Sequence, residues 1–317
     1  MHPWNEPVFQ SVKRMLASGR LPHALLLHGP RGVGKLALAE RLGQLLLCEG
    51  ENRPCGKCDG CRWYLAGTHP DWRRVEPEAL AKGVEPGEEG EEGAESSSKK
   101  KKPSLDIKIE QVRALADFLN LRSHRGALRV ALLHPAEEMN PNAQNALLKG
   151  LEEPPAGAVF ILVSHRPHRL LPTVRSRCVK TPVPIPAADA GLAWLKSQPG
   201  GQDAARWLAF SGGAPLQALK YAEEASTWDG LLKSPAPADE REGLERLAEV
   251  LQKVAYDRAF SSFGLAPKYK SGAASKVHPR RLLAFARQMG ENRQLTRHPV
   301  NARLFSAEML ARTVDLT

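Results

Sequence analysis

The sequence predicts an α/β domain with a parallel sheet, followed by a region that is entirely helical. Three short apolar runs, at residues 24–28, 130–133 and 159–163, alternate with helical patterns along the first half of the chain. Such runs are typical of buried parallel strands in a sheet that carries helices on both faces. The proline-rich segment 182–186 ends the alternation, and only helical patterns follow it.

The order of elements begins with a strand, a glycine loop and a helix. The apolar run 24–28 leads into the loop 29–35, and a helical pattern covers 36–47. A second helix is predicted at 142–153, where a pair of prolines ends it because proline cannot continue a helix. Further helices are predicted beyond the proline-rich segment, at 187–196, 204–210, 215–225, 243–262, 279–289 and 306–314.

Composition and charge narrow the classes of protein without choosing one. The chain has 317 residues and a net charge of +10, and residues 253–303 carry eleven Lys and Arg against two acids. Such a surface suits an acidic partner such as nucleic acid, and it equally suits solvated helix faces. No run approaches the roughly 18 apolar residues of a membrane span, and the first ten residues lack a secretory pattern. We therefore expect a cytoplasmic protein without membrane contact, whose cysteines are reduced.

Residues 79–104 interrupt the alternation of strands and helices. An acidic run at 85–95 is followed directly by four lysines at 99–102, and large apolar side chains are nearly absent. A segment of this composition cannot offset the entropy that it would lose on ordering. We expect a disordered surface insert, with a specific binding role as the alternative.

The loop Gly29-x4-Gly34-Lys35 has the Walker A pattern of phosphate-binding loops. Its glycines, including Gly32, let backbone N–H groups turn towards phosphates, and Lys35 adds a positive charge. A working loop continues with Ser or Thr, whose hydroxyl binds Mg²⁺, but here the next residue is Leu36. The loop is therefore degenerate: the magnesium site is predicted to be lost, and ATP binding stays open.

The strand at 130–133 also lacks the acidic residues of an ATPase. It runs into His134 and Pro135, where carboxylates would hold the metal and polarise the attacking water. Glu137 and Glu138 follow further along the chain, and hydrolysis would require them to reach the same point. Two separate losses of oxygen ligands argue against an active ATPase.

Four cysteines, Cys48, Cys55, Cys58 and Cys61, lie within fourteen residues. Four thiolates at this spacing suit tetrahedral Zn²⁺, and the site would be structural because no ligand position is left open for water. The chain around them is poor in apolar residues, so the ion would be needed to order it. An iron–sulfur cluster, disulfides and four unrelated thiols are the alternatives.

Together with Ser176-Arg177-Cys178, these motifs resemble the bacterial DNA polymerase III clamp-loader subunits, which are AAA+ proteins. Without that context, Arg177 would predict only an ion pair at a domain edge. The resemblance covers about residues 1–225 well and the remainder weakly, mainly at 301–305. The further motifs that carry it are Gly67-Thr68-His69-Pro70-Asp71, Asn145-Ala146-Leu147-Leu148-Lys149 and Leu151-Glu152-Glu153-Pro154-Pro155.

Within that family the ATPase subunits, gamma and tau, keep the Walker A hydroxyl, an Asp-Glu pair after the second strand and a sensor arginine in the lid. This chain has Leu36, His134-Pro135 and, at 212–216, no arginine. The three departures resemble the delta-prime type of subunit, which does not hydrolyse ATP. An active gamma- or tau-like ATPase is the alternative. A free-standing zinc-containing nucleic-acid binder would leave the phosphate loop and Ser-Arg-Cys unexplained.

The resemblance also implies an organisation and partners. It implies an AAA+ domain at 1–181, a small helical lid at 182–226 and a C-terminal helical collar at 227–317, with a zinc module at 48–61 in the first domain. The chain would join gamma or tau and delta subunits in a hetero-pentamer of the DNA polymerase III holoenzyme, a nucleotidyltransferase. That complex meets the sliding clamp and primed DNA. Arg177 would be an arginine finger at the ATP site of the adjacent gamma or tau subunit.

Overall fold

The chain forms two compact units, Met1–Pro184 and Ile185–Thr317. The computed structural model describes residues 1–81, 103–121, 128–201, 203–271, 277–296 and 300–314. Most of the predicted disordered insert, residues 82–102, lies outside the described residues. The finer division into an AAA+ domain, a lid and a collar stays a prediction.

A five-stranded parallel sheet forms the centre of the first unit, with the order β2-β3-β4-β1-β5. β3 and β4 are buried along their whole length, as expected for strands that are covered on both faces. This arrangement confirms the predicted fold class. The strands are β1 (Ala24–His28), β2 (Trp72–Val75), β3 (Arg129–Leu133), β4 (Ala158–Ser164) and β5 (Val179–Pro182). The α-helices are α1 (Glu6–Ala17), α2 (Lys35–Leu47), α3 (Asp59–Leu65), α4 (Ile109–Asn120), α5 (Pro141–Glu152) and α6 (Pro172–Ser176).

The strand order brings three connections together at one edge of the sheet. β1 lies beside β4, and β3 pairs with the other side of β4. Because the carboxyl ends of parallel strands meet at one edge, the loop after β1 lies near the segments that follow β3 and β4. The candidate phosphate site is therefore built from these three connections.

Local signals set the bounds of α5, which follows β3. The side chain of Asn140 accepts a hydrogen bond from the Ala143 N–H at 2.8 Å, and Pro141 occupies the first helical position. Both are strong start signals, since an N-cap side chain satisfies a free donor and proline has none to lose. The helix ends at Glu152, just before the pair of prolines that was predicted to end it.

The two ends of the insert are held together in the first unit. The Ala79 N–H donates to the Ser104 carbonyl at 3.0 Å, and the Ser104 N–H donates to the Glu78 carboxylate at 3.1 Å. Lys108 adds an ion pair to Glu78 at 2.5 Å. The chain therefore leaves and re-enters the domain at adjacent points.

The second unit consists of helices in its described residues. An aromatic cluster of Trp207, Phe210, Tyr221 and Trp228 forms one of its cores, and the facing sides of two long helices form another. Among the helices of the described ranges, none has the length and apolarity that crossing a bilayer requires. The helices are α7 (Ala188–Lys196), α8 (Ala204–Phe210), α9 (Pro215–Glu223), α10 (Ala225–Lys233), α11 (Arg241–Ser262), α12 (Pro279–Leu295) and α13 (Ala302–Val314).

Candidate functional site

The predicted phosphate loop connects β1 to α2 at the carboxyl edge of the sheet. Gly32 and Gly34 have φ angles of 78° and 81°, in the left-handed region that favours glycine. A Cβ added at Gly29 would stand 2.2 Å from the carbonyl oxygen of Val183. The backbone of the loop therefore requires glycine at the two glycine positions of the Walker A pattern and at Gly32 between them.

Lys35, the lysine of the predicted phosphate loop, is buried, with 2% of its surface exposed. Its ammonium donates hydrogen bonds to the carbonyl oxygens of Gly29 at 2.7 Å and Pro30 at 2.5 Å. Burial lowers the pKa of Lys35 to about 8, the Glu137 carboxylate opposes this shift, and the Arg31 guanidinium adds to it. The lysine is thus hydrogen-bonded to its own loop, whereas a nucleotide-binding loop directs it at phosphates.

The N-terminal residues lie against the phosphate loop, a contact that the sequence analysis missed. The indole N–H of Trp4 donates to the Val33 carbonyl at 3.0 Å, and the Asn5 amide donates to the Val33 and Gly34 carbonyls at 3.0 and 3.2 Å. The His2 ring is so near that a Cβ on Gly34 would lie 2.4 Å from it. The N-terminus therefore covers one side of the loop.

The two positions that would supply magnesium ligands hold no oxygen ligand in their side chains. Leu36 is half-buried in the first turn of α2, and His134 follows β3 directly. The His134 ring stacks edge-on against His165, with 5.5 Å between centroids. Burial lowers the pKa of His134 to about 4 and that of His165 to about 2, so both imidazoles are neutral at pH 7. Mg²⁺ prefers oxygen ligands, which neither imidazole offers.

Glu137 and Glu138 are both buried, with 2% and 6% of their surfaces exposed. The Glu137 carboxylate accepts hydrogen bonds from the His165 N–H, at 3.0 and 3.1 Å to its two oxygens. Glu138 forms ion pairs with three arginines, and these are Arg31 at 4.0 Å, Arg166 at 3.4 Å and Arg169 at 3.8 Å. Both carboxylates therefore already have partners within the chain.

The four cysteines of the predicted zinc module lie together between α2 and α3, and their sulfur atoms are all within 4.8 Å of one another. Backbone N–H groups donate to three of the sulfurs at 3.3 Å, from Cys55 to Cys48, from Cys58 to Cys55 and from Cys61 to Cys58. Hydrogen bonds to Cys55, first from the Lys57 N–H, lower the pKa of its thiol to about 6. This group can hold a metal ion, because four thiolate donors face one point.

A buried ion pair follows the cysteine module, and the sequence analysis did not identify it. The Asp71 N–H donates to the His69 ring nitrogen at 3.0 Å, and the Asp71 carboxylate lies 3.4 Å from the Arg129 guanidinium. Arg129, at the start of β3, also donates to the Phe118 carbonyl. Asp71 was singled out in the sequence as part of the Gly-Thr-His-Pro-Asp motif. Arg129 belongs to no motif, so nothing in the sequence indicated that it would pair with Asp71.

Arg177 caps the C-terminal end of α6 and precedes the buried Cys178. Its guanidinium forms an ion pair with Glu152 at 2.5 Å and donates to the Thr173 carbonyl at 3.0 Å, and 34% of its side chain is exposed. The neighbouring Cys178 is buried in the core of the first unit, and burial raises the pKa of its thiol to about 11. The buried cysteine fixes the chain while the arginine reaches the surface.

Comparison with known proteins identifies relatives of this chain. A family model described as DNA polymerase III, delta subunit matches residues 4–185. The DNA polymerase III subunit delta′ of Pseudomonas aeruginosa is 41% identical over 230 residues, which cover 69% of this chain and 61% of that protein. The subunit delta′ of Yersinia pestis is 34% identical over 272 residues, which cover 81% of this chain and 72% of that protein.

Two further matches are more distant. The DNA polymerase III subunit tau of Salmonella typhimurium is 33% identical over 177 residues, which cover 55% of this chain and 24% of that protein. A solved structure of a gamma subunit-related protein from Thermotoga maritima has a TM-score of 0.47 and 19% identity, covering 97% of this chain and 99% of that chain. The family match spans more than half of the chain, and the named delta′ relatives agree with it. The chain therefore belongs to the family of bacterial DNA polymerase III clamp-loader subunits of the delta-prime type.

Proposed function

We propose that this chain is a non-hydrolysing subunit of the DNA polymerase III clamp loader. It would help to load the sliding clamp onto primed DNA, beside gamma or tau and delta subunits in a hetero-pentamer. The observation that carries the proposal is the loss of magnesium ligands at two positions, Leu36 and His134-Pro135, in a chain that retains the surrounding fold. Without those oxygens neither the metal nor the attacking water would be held.

The acidic residues near the site support this proposal. Glu137 is engaged by the His165 N–H, and Glu138 by three arginines. A metal ion at either carboxylate would have to compete with these donors for the oxygens. The structural context therefore favours a binding and assembly role over hydrolysis by this chain.

Arg177 is the residue that we assign to the ATP site of a neighbouring gamma- or tau-type subunit. A guanidinium can bind phosphate through several parallel N–H donors, and its charge persists at any physiological pH. Arg177 reaches the surface of the first unit, and its resting partner Glu152 is 47% exposed. An exposed ion pair contributes only about 0–1 kcal/mol, so a triphosphate can displace it.

We assign the cysteine group to a structural zinc ion held by Cys48, Cys55, Cys58 and Cys61. Zn–S bonds of about 2.3 Å in a tetrahedron place the sulfurs about 3.8 Å apart. The Sγ atoms of Cys48 and Cys58 are separated by this same distance, 3.8 Å. An iron–sulfur cluster divides the four thiolates among two or four irons and so spreads the sulfurs more widely. When bound, zinc would cross-link the end of α2 to the start of α3.

The test is ATP hydrolysis by the purified chain, alone and mixed with a gamma-type partner. We expect no turnover by the chain alone, and an increase over the partner alone when the two are mixed. In the Arg177→Ala variant that increase should fall at least tenfold, since arginine fingers contribute about 10³–10⁵ in rate at the site that they serve. Lys180→Ala, which removes an exposed cation on β5, is the matched control and should behave like the wild type.

Two results would count against the proposal. Turnover by the chain alone would make it a working ATPase, in which Glu137 or Glu138 serves the metal. An undiminished increase with Arg177→Ala, in a mixture shown by size-exclusion chromatography to be assembled, would remove the finger assignment.

A further inference from the structure

Two buried carboxylates lie among the cations of the phosphate loop and of the segment after β4. Arg31 lies in the phosphate loop, and Lys35 is the first residue of α2. Arg166 and Arg169 follow β4. In a nucleotide-binding domain, the loop and its lysine meet the negative charge of phosphates. Here Glu137 and Glu138 supply it from within the chain.

Glu138 joins the two segments directly. Its carboxylate lies within 4.0 Å of Arg31 on one side and of Arg166 and Arg169 on the other. With only 6% of its surface exposed, Glu138 is close to the interior, while the arginines remain 26–54% exposed. The arrangement is that of one anion surrounded by three cations, which is how arginines surround a bound phosphate.

Glu137 completes the arrangement on the inner side. Both of its oxygens receive the His165 N–H, which is the first N–H beyond β4. Its charge also favours the ammonium form of Lys35, against the effect of burial. Glu137 therefore contacts the segment after β4 directly and acts on the loop lysine through its charge.

The balance of charge leaves a positive excess. Four cations, Arg31, Lys35, Arg166 and Arg169, face two carboxylates, and the neighbouring His134 and His165 are neutral because burial lowers their pKa values. A polyphosphate would therefore be attracted by the cations but repelled by the carboxylates that they already hold. Removing a carboxylate charge should shift this balance towards binding.

We propose that Glu137 and Glu138 mask a latent polyphosphate-binding site by neutralising its cations within the chain. The ligand class is a linear triphosphate, either inorganic or carried by a nucleotide. This inference does not depend on the role of Arg177, because it concerns only the loop of this chain. It explains how a phosphate loop and its lysine persist in the fold without a metal site.

The experiment is calorimetric titration of the full chain with inorganic tripolyphosphate at fixed low salt, without magnesium. This probe has no nucleoside, so it tests the phosphate-binding part of the site alone. The contact of the N-terminal residues with the loop is common to all the variants and does not account for a difference between them. The variants are Glu138→Gln and Glu137→Gln/Glu138→Gln, since glutamine keeps the shape and an acceptor oxygen but removes the charge. Glu153→Gln, an exposed glutamate at the end of α5, is the matched control.

We expect Glu138→Gln to bind tripolyphosphate about tenfold more tightly than the wild type, and the double variant more tightly still. Glu153→Gln should match the wild type, and adding Lys35→Ala to Glu138→Gln should abolish the gain. Equal affinity in the wild type and Glu138→Gln would overturn the proposal, and so would a gain that survives Lys35→Ala. If the double variant does not fold, as judged by its circular dichroism, the single variant decides the outcome.

Discussion

Replacement of Lys35 by methionine should make the first unit more stable at neutral pH. Lys35 is buried, and burial lowers its pKa from the ordinary 10.5 to about 8. At about 1.4 kcal/mol for each pH unit, holding the ammonium in the fold costs about 3 kcal/mol relative to the neutral amine. Methionine is similar in length, carries no charge and packs readily in apolar surroundings.

The gain is reduced by the hydrogen bonds that methionine cannot make. The carbonyl oxygens of Gly29 and Pro30 would lose the ammonium donor of Lys35, at about 1 kcal/mol each. The net expectation at pH 7 is therefore a gain of about 1 kcal/mol in the free energy of unfolding. For a unit of this size that corresponds to a rise of about 2–4 °C in Tm.

The sign of the effect should reverse at high pH. The folded pKa of Lys35 is depressed, so between pH 8 and 10.5 the unfolded chain binds a proton that the folded chain does not. Stability of the wild type therefore rises with pH in this window, by about 2 kcal/mol between pH 7 and 9.5. Lys35→Met lacks this rise and should be about 1 kcal/mol less stable than the wild type at pH 9.5.

Urea denaturation of the wild type and the variant, both with zinc added, at both pH values measures the difference. Thiols and tyrosines that titrate at high pH are common to the two proteins, so they cancel in the comparison. Lys180→Met removes an exposed lysine and should show no reversal. A difference between wild type and Lys35→Met with the same sign at both pH values would refute the reasoning.

Three other predictions concern the first unit. Asp71→Asn should lower the free energy of unfolding by about 3–5 kcal/mol in urea, because it removes the carboxylate charge beside the buried Arg129; a loss below about 1 kcal/mol would contradict this. Gly29→Ala should sharply lower Tm in scanning calorimetry, because its Cβ would stand 2.2 Å from the Val183 carbonyl oxygen, and an unchanged Tm would exclude that clash. Chelation of the metal should expose residues 48–61 to limited proteolysis while the sheet persists, and unchanged cleavage would remove the structural-zinc assignment.

The fold was predictable where the pattern of apolar residues is strong. The runs at 24–28, 130–133 and 159–163 correspond to β1, β3 and β4, which are the three central strands. The two edge strands were not predicted, because β2 has two exposed arginines in succession and β5 is exposed or half-buried along its length. A strand is recognised in a sequence by a run of apolar residues, and such a run needs a strand that is both long and buried. β2 and β5 have only four residues each and are largely exposed.

The sequence indicated which residues to consider for the candidate site but not the contacts that they make. The cysteine spacing correctly indicated that the four thiols lie together, since a spacing constrains distance directly. The contact of Trp4 and Asn5 with the phosphate loop joins residues 28 or 29 positions apart, and no local pattern encodes it. The same holds for Asp71 and Arg129, whose pairing depends on the register of β2 beside β3.

The closure of residues 79 and 104 by a hydrogen bond has a practical consequence. Because Ala79 and Ser104 are already adjacent, the fold fixes the two ends of the intervening chain and leaves its length free. The entropy of closing a loop grows only with the logarithm of its length, at about 0.6 kcal/mol for each doubling. A fluorescent reporter or an affinity tag can therefore be grafted between these ends with little strain on the sheet. Such a graft would leave the contacts of Trp4 and Asn5 with the phosphate loop undisturbed.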